Sequence, residues 1–274
     1  MAVSVVDALI LAIVQGVTEW LPISSSGHLA LTQRLLGIEV PVAYDLWLHV
    51  GTLLAVIVYY RRRLVELTRA VLVGPAATKK DGWKAAWLGD LDRRLALAVV
   101  LGTVPIVIAG VLLESLVKDT FNSLVWIGWT FLANAVLLAL AGVRRPTHGA
   151  GDVRVKDGVA AGVMQVFALL PAISRSGATL AGGMWAGLDR PSAADLAFLL
   201  SIPALTGAVV FQAPELAGMG DVGWPAIAIG LVGTFAVGYG SIAFLLSWVR
   251  RHSLAGFAAY SAALGTGILI ALAL

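Results

Sequence analysis

Glu19 is followed within one turn by Pro22-Ile23-Ser24-Ser25-Ser26-Gly27-His28, and Ser174-Arg175-Ser176-Gly177 recurs 150 positions after Ser24, both inside otherwise apolar stretches. Serine hydroxyls and the exposed amides beside Gly27 and Gly177 are hydrogen-bond donors, as are helix N-termini, so the guest such segments prefer is an anion. The planar, permanently charged fork of Arg175 matches the oxygens of a phosphate or carboxylate. Glu19 and His28 add groups that exchange protons or hold a cation near neutral pH, which anion binding alone does not require. Together they point to hydrolysis. A serine among residues 24 to 26 attacks phosphorus with His28 as base, or His28 attacks directly and becomes a phosphohistidine; Glu19 orients His28 or binds a divalent ion that neutralises phosphate charge. An alternative reading pairs Arg175 with Glu19 to hold two halves of the protein together, and a resting pair broken by substrate satisfies both. His49 lies close enough in sequence to the first segment to contribute, whereas His148 and His252 read as structural or loop residues.

The elements that must position these groups are membrane helices. Hydrophobic residues make up 59% of the chain and charged ones only 13%, with a mean hydropathy of +0.90, a balance that excludes a soluble domain of this length. Uncharged, mainly apolar runs at 95–113, 120–143, 196–214, 222–249 and 253–274, with 41–60 carrying Asp45 near its start, each approach the roughly 20 residues that cross a bilayer. Six spanning helices are predicted. No Lys or Arg precedes the apolar run that follows Met1, so no cleaved secretory signal is expected. The absence of cysteine removes disulfides, thiolate catalysis and Cys-type zinc sites.

Basic residues cluster in three connections: Arg61 to Arg63 through Arg94, then Arg144 to Lys156, then Arg250 and Arg251. They read as a topology signal and a contact with anionic lipid, with no nucleic-acid partner. Placing all three in the cytoplasm leaves residues 4–35 beginning and ending outside, and 158–188 beginning and ending inside. Each is therefore expected to be a re-entrant hairpin, broken by Pro22 or Pro171 and its Ser/Gly run. A shift of 150 positions superposes Gln15 on Gln165, Ser24 on Ser174, Ser26 on Ser176, Gly27 on Gly177 and Asp45 on Asp195, which points to an internal repeat. The expected fold is an all-α integral membrane protein, a single domain of two inverted-topology repeats. Repeat one, about 1–145, holds hairpin 4–35 and helices 41–60, 95–113 and 123–143. Repeat two, about 155–274, holds hairpin 158–188 and helices 195–213, 224–248 and 254–273. Three spans per half is odd, hence the inversion, and inverted repeats place their ligand near the midplane. Trp20 and Trp47 read as flanking the site's entrance, and Trp87, Trp126 and Trp224 as interfacial anchors. Asp45 and Asp195 read equally as helix caps or as chemistry.

Gln15-Gly16-Val17-Thr18-Glu19-Trp20-Leu21-Pro22-Ile23-Ser24-Ser25-Ser26-Gly27-His28, with Leu170-Pro171-Ala172-Ile173-Ser174-Arg175-Ser176-Gly177-Ala178-Thr179, resembles the two signature segments of the undecaprenyl-diphosphate phosphatases of the bacitracin-resistance type. The resemblance covers essentially the whole chain. It implies a membrane enzyme that removes the terminal phosphate from a polyprenyl diphosphate, recycling the lipid carrier of cell-envelope glycan synthesis. It further implies an outward-facing site in the cytoplasmic membrane, dependence on a divalent cation (Mg²⁺ or Ca²⁺), and Glu19, Ser25, His28 and Arg175 as catalytic residues. Ser24, Ser26, Gly27, Ser174, Ser176, Gly177 and Thr179 would then bind the phosphates, and Glu19 with Gln15 the metal. One position departs: the bacterial pattern usually has Glu-Gly where this chain has Gln15-Gly16, and a neutral amide weakens a divalent site. The competing readings are a flippase or anion transporter of the same architecture, favoured by the symmetry, and an inactive structural homologue. The cluster of Ser25, His28 and Glu19 favours the enzyme, since a carrier needs no nucleophile or base. A homodimer is compatible with the chain.

Overall fold

The computed structural model describes residues 3–118, 120 and 123–274. All regular elements among them are helical: α1 (Val5–Thr18), α2 (Ser25–Leu36), α3 (Val42–Tyr59), α4 (Arg61–Asp81), α5 (Trp83–Leu88), α6 (Leu91–Lys118), α7 (Leu124–Ala141), α8 (Val155–Gln165), α9 (Arg175–Ala186), α10 (Arg190–Phe211), α11 (Trp224–Arg251) and α12 (Ala255–Ala273). Six of them, α3, α6, α7, α10, α11 and α12, are long and apolar enough to cross a bilayer. Lipid rather than protein must cover much of that surface: only 17% of the apolar span of α6 is buried within the chain. The pairs α1/α2 and α8/α9 are shorter and meet at broken tips.

The helices interleave. α1 packs on α11, and α8 on α6; α3 lies against α11, and α10 against α6; α7 and α12 pair along their lengths. Spans from each half of the chain thus clasp the short helices of the other half. Small residues permit the closest of these contacts. A Cβ placed on Gly162 would sit 1.8 Å from the carbonyl oxygen of Gly102, and one on Gly158 2.1 Å from that of Ala98, so α8 and α6 touch backbone to backbone.

Two readings of the sequence are revised. The basic stretch after Tyr60 is not an open loop but the helices α4 and α5, the Trp87 indole donating to Thr78 Oγ1 at 3.0 Å. Ala, Leu and Lys favour helix there, and the Gly82 turn (φ 77°) reverses it. Asp90 precedes α6 and accepts from the Arg93 amide, which holds its carboxyl below the usual range. Trp20 flanks no entrance: at 1% exposure it is packed edge-on against Phe198 in the core. Trp126 and Trp224 are exposed at the starts of α7 and α11, where anchors belong.

Candidate active site

α1 stops at Thr18 because Pro22, which lacks an N–H, cannot continue the ladder. The chain turns through 19–24 and restarts at Ser25, after Ser24 at φ 70°, a value rarely tolerated outside glycine. The second tip is built differently. A 3₁₀ turn, Val166–Leu169, prolongs α8, and Ser174 caps α9 in ordinary extended geometry, its hydroxyl accepting from the Gly177 amide at 3.1 Å. Hence the N-terminus of α9 is capped by its own serine, whereas α2 has no side-chain cap. The free amides at the head of α2 are the better seat for an anion.

Asn134 of α7 locks the tips together. Its Nδ2 donates to the Pro22 carbonyl at 3.0 Å and to Ser261 Oγ at 3.1 Å, while Oδ1 accepts from the Ser174 amide at 3.0 Å. The hydroxyls of Ser174 and Ser176 donate to the Leu21 carbonyl at 3.3 and 3.1 Å. Gly27 is needed for the same closeness, since a Cβ there would lie 2.6 Å from the Phe131 ring and 2.8 Å from the Ala172 side chain.

At the junction sits Glu19, 6% exposed. Its Oε1 is ion-paired with the Arg175 guanidinium of the opposite tip. Its Oε2 accepts from Ser25 Oγ at 2.5 Å and from Gln15 Nε2 at 3.0 Å, with His49 Nε2 at 3.6 Å. The cluster opens into a cavity of ≈ 350 Å³ lined by Glu19, Ser24, Ser25, Ser26, Ser174 and Arg175, with Asp45, His49 and Gln165 beside them and aliphatic side chains of α10 beyond. A serine hydroxyl held by a carboxylate, a guanidinium and an uncapped helix end converge there. Such a group suits attack on a phosphorus centre.

The remaining residues expected at the site lie elsewhere. His28 turns toward α12: Nδ1 bonds the Ser24 carbonyl at 2.6 Å, and Nε2 meets the Tyr260 hydroxyl at 2.7 Å. A carbonyl partner requires the proton on Nδ1, leaving Nε2 to accept from Tyr260. One helical turn after Ser24, the imidazole reaches back to that carbonyl and away from the cavity. Ser176 binds the first tip, Gly27 and Gly177 are packing positions, and Thr179 donates to the carbonyl of Arg175. His49, Asn134 and Tyr260 are the residues that sequence reasoning underused. Asn134 carried a signal, an uncharged amide inside a spanning run.

Among the described residues no group of three or more His, Cys, Asp or Glu side chains could hold a metal by itself. Of the two residues expected to hold a divalent cation, Glu19 lines the cavity and Gln15 stands behind it, bonded to Glu19. Gln15 Oε1 is buried without a partner, and a half-turn of its amide would present that oxygen beside Glu19.

The family model described as "Bacitracin resistance protein BacA" matches residues 8–267. A protein of Methanobrevibacter smithii named undecaprenyl-diphosphatase is 36% identical over 260 residues, covering 93% of each chain. One of the same name from Nocardioides sp. is 36% identical over 274 residues, covering 99% of this chain and 97% of its own. Another, from Myxococcus xanthus, is 38% identical over 274 residues, 98% of this chain and 89% of its own.

Proposed function

The chain belongs to the family of bacitracin resistance proteins BacA, and from that premise we propose that Ser25, Glu19 and Arg175 carry out its hydrolysis of undecaprenyl diphosphate. It is a multi-pass membrane phosphatase that converts the diphosphate to the monophosphate and phosphate, recycling the lipid carrier. The observation that carries the assignment of roles is the short contact from Ser25 Oγ to Glu19 Oε2, with Arg175 on the other oxygen of the same carboxylate.

The arriving diphosphate competes for Arg175, whose fork can clasp phosphate oxygens as readily as a carboxylate. Freed from that pair, Glu19 becomes a stronger base and takes the Ser25 proton while Oγ attacks the terminal phosphorus. A bond from Oγ to phosphorus forms and the bridging P–O bond breaks, its electron pair leaving with undecaprenyl monophosphate. Glu19 loses that proton to solvent, and water then cleaves the phosphoserine: Glu19 takes a proton from the water as its oxygen bonds to phosphorus, and gives it to Ser25 Oγ as the P–O bond to serine breaks and phosphate leaves. Arg175 and the uncapped amides at the head of α2 hold the charge that gathers on the equatorial oxygens. Glu19 and Gln15 would hold the divalent cation, which supplies further charge neutralisation on the phosphates. His28 braces the Ser24 turn against α12 and acts through positioning.

The isoprenoid tail follows an apolar groove of ≈ 620 Å³ bounded by Leu64 and Leu67 of α4, Val99 and Thr103 of α6, and Pro203 and Gly207 of α10. The last two of these helices contribute Ile106 and Val209 to the phosphate cavity. A Cβ at Gly207 meets open space, so Gly207→Trp is expected to fold and to fill the groove. Its kcat/KM for undecaprenyl diphosphate should fall about tenfold, the scale of discrimination in apolar pockets, with farnesyl diphosphate unaffected. Equal losses on both substrates would place the tail elsewhere.

The paired short helices and interleaved spans support two inverted repeats with re-entrant hairpins. The basic side chains of α4, the α7–α8 connection and the end of α11 favour a cytoplasmic position for those ends. Gln212 and the first half of α3, at the opposite ends, line the cavity, which supports a site facing outward from the cell membrane. The chain has no cysteine, which makes Gly220→Cys, exposed in the 3₁₀ segment Ala213–Asp221, a clean reporter. A membrane-impermeant maleimide should label it in intact cells, and labelling only after permeabilisation would reverse the orientation.

A further inference from the structure

Gln165 is the last residue of α8. It lines the phosphate cavity, is 0% exposed, and neither its Nε2 nor its Oε1 has a hydrogen-bond partner. Its counterpart Gln15 is held by Glu19, four residues on. At the equivalent place in the second half stands Leu169, which offers nothing to an amide. Both atoms of Gln165 are therefore bare where bulk water cannot reach them. An unpaired buried amide is unfavourable, and an apolar side chain of the same length would remove the penalty. Its position suits a partner present only when the cavity is filled.

We propose that the Gln165 carboxamide is a substrate-binding group of the phosphatase, Nε2 donating to a non-bridging oxygen of the bound diphosphate. The other charged or polar donors at the cavity have competing partners in the empty protein: Arg175 pairs with Glu19, Ser25 donates to Glu19, and Ser174 is bonded to the first tip. The buried Gln165 amide, like the uncapped amides at the head of α2, breaks no bond to receive an anion. Its Oε1 is then free to accept from a protonated phosphate oxygen or from the water that enters with it. The inference rests on the phosphatase reading of this cavity.

Gln165→Met keeps the length and removes both polar atoms. Its thermal midpoint in detergent should equal or exceed that of the wild type, while KM for undecaprenyl diphosphate rises about 10- to 100-fold, the range of a hydrogen bond to a charged group. Binding of inorganic pyrophosphate, read by calorimetry, should weaken by the same factor. Gln165→Glu, similar in shape but anionic, should weaken pyrophosphate further. Wild-type kinetics and pyrophosphate affinity in Gln165→Met would overturn the proposal. So would a lowered midpoint accompanied by an unchanged KM, which is the mark of a structural amide. If Gln165→Met fails to fold, unaltered pyrophosphate affinity in Gln165→Glu overturns it equally. A wild type that binds pyrophosphate but releases no phosphate from the lipid would defeat the phosphatase reading, leaving the calorimetric comparison to judge Gln165.

Discussion

Arg175→Ala is expected to lower kcat/KM for undecaprenyl diphosphate by about 10²- to 10³-fold, the loss seen when one preorganised charge-stabilising donor is removed. Among the described residues no other Arg or Lys lines the phosphate cavity, and a helix end supplies only about half a charge. The same substitution strips Glu19 of its counter-ion. Breaking a fully buried pair costs about 3–5 kcal/mol; the Arg175 side chain is 22% exposed, so the fall in thermal midpoint should be smaller than that figure implies. The double variant Glu19→Gln/Arg175→Ala separates the two effects. Stability should return, because the unpaired carboxylate is gone, while activity stays lost. Recovery of activity with stability would mean that the pair serves only to hold the tips together. Arg175→Lys should recover part of the rate, since an ammonium keeps the charge but cannot grip two oxygens in one plane.

Ser25→Ala and Glu19→Gln form the second expectation. Each should depress kcat by about 10²- to 10⁴-fold, the contribution of positioned proton transfer to a nucleophile, with KM changed far less. The two should be non-additive, the double variant hardly slower than either single one, because hydroxyl and carboxylate act as a unit. His28→Asn tests the contrasting role. If the imidazole only braces the Ser24 carbonyl and Tyr260, its loss should leave more activity than Ser25→Ala does.

Much of this molecule is legible in its sequence. The spans are readable because hydrocarbon demands long uncharged runs, and the tips because Pro22 and the serine runs cannot continue a helix there. Arg175 and Glu19 stood out as charges that need each other at depth. What sequence could not supply was direction. His28 and His49 differ little as residues near a glutamate, and each bonds the carbonyl four residues back through Nδ1, yet Nε2 of the first meets Tyr260 while Nε2 of the second lies 3.6 Å from Glu19. The serines of the second tip looked like those of the first. Only their three-dimensional partners reveal that Ser174 and Ser176 bind Leu21 while Ser25 meets Glu19. Interleaving of the halves is likewise a property of long-range packing, which no local pattern encodes. The helices α4 and α5 are hidden for a different reason: their dense positive charge reads as a topology signal and masks the helix propensity of their Ala, Leu and Lys residues.

The central claim is that Ser25 takes the phosphoryl group with Glu19 as its base. Purified protein mixed with undecaprenyl diphosphate should be acid-quenched in its first turnovers and digested, and the peptides carrying Ser25 and His28 analysed by mass spectrometry. Phosphate on Ser25, absent in Ser25→Ala and arising with release of undecaprenyl monophosphate, is the predicted result. Phosphate on His28, or turnover that persists in Ser25→Ala, would contradict it.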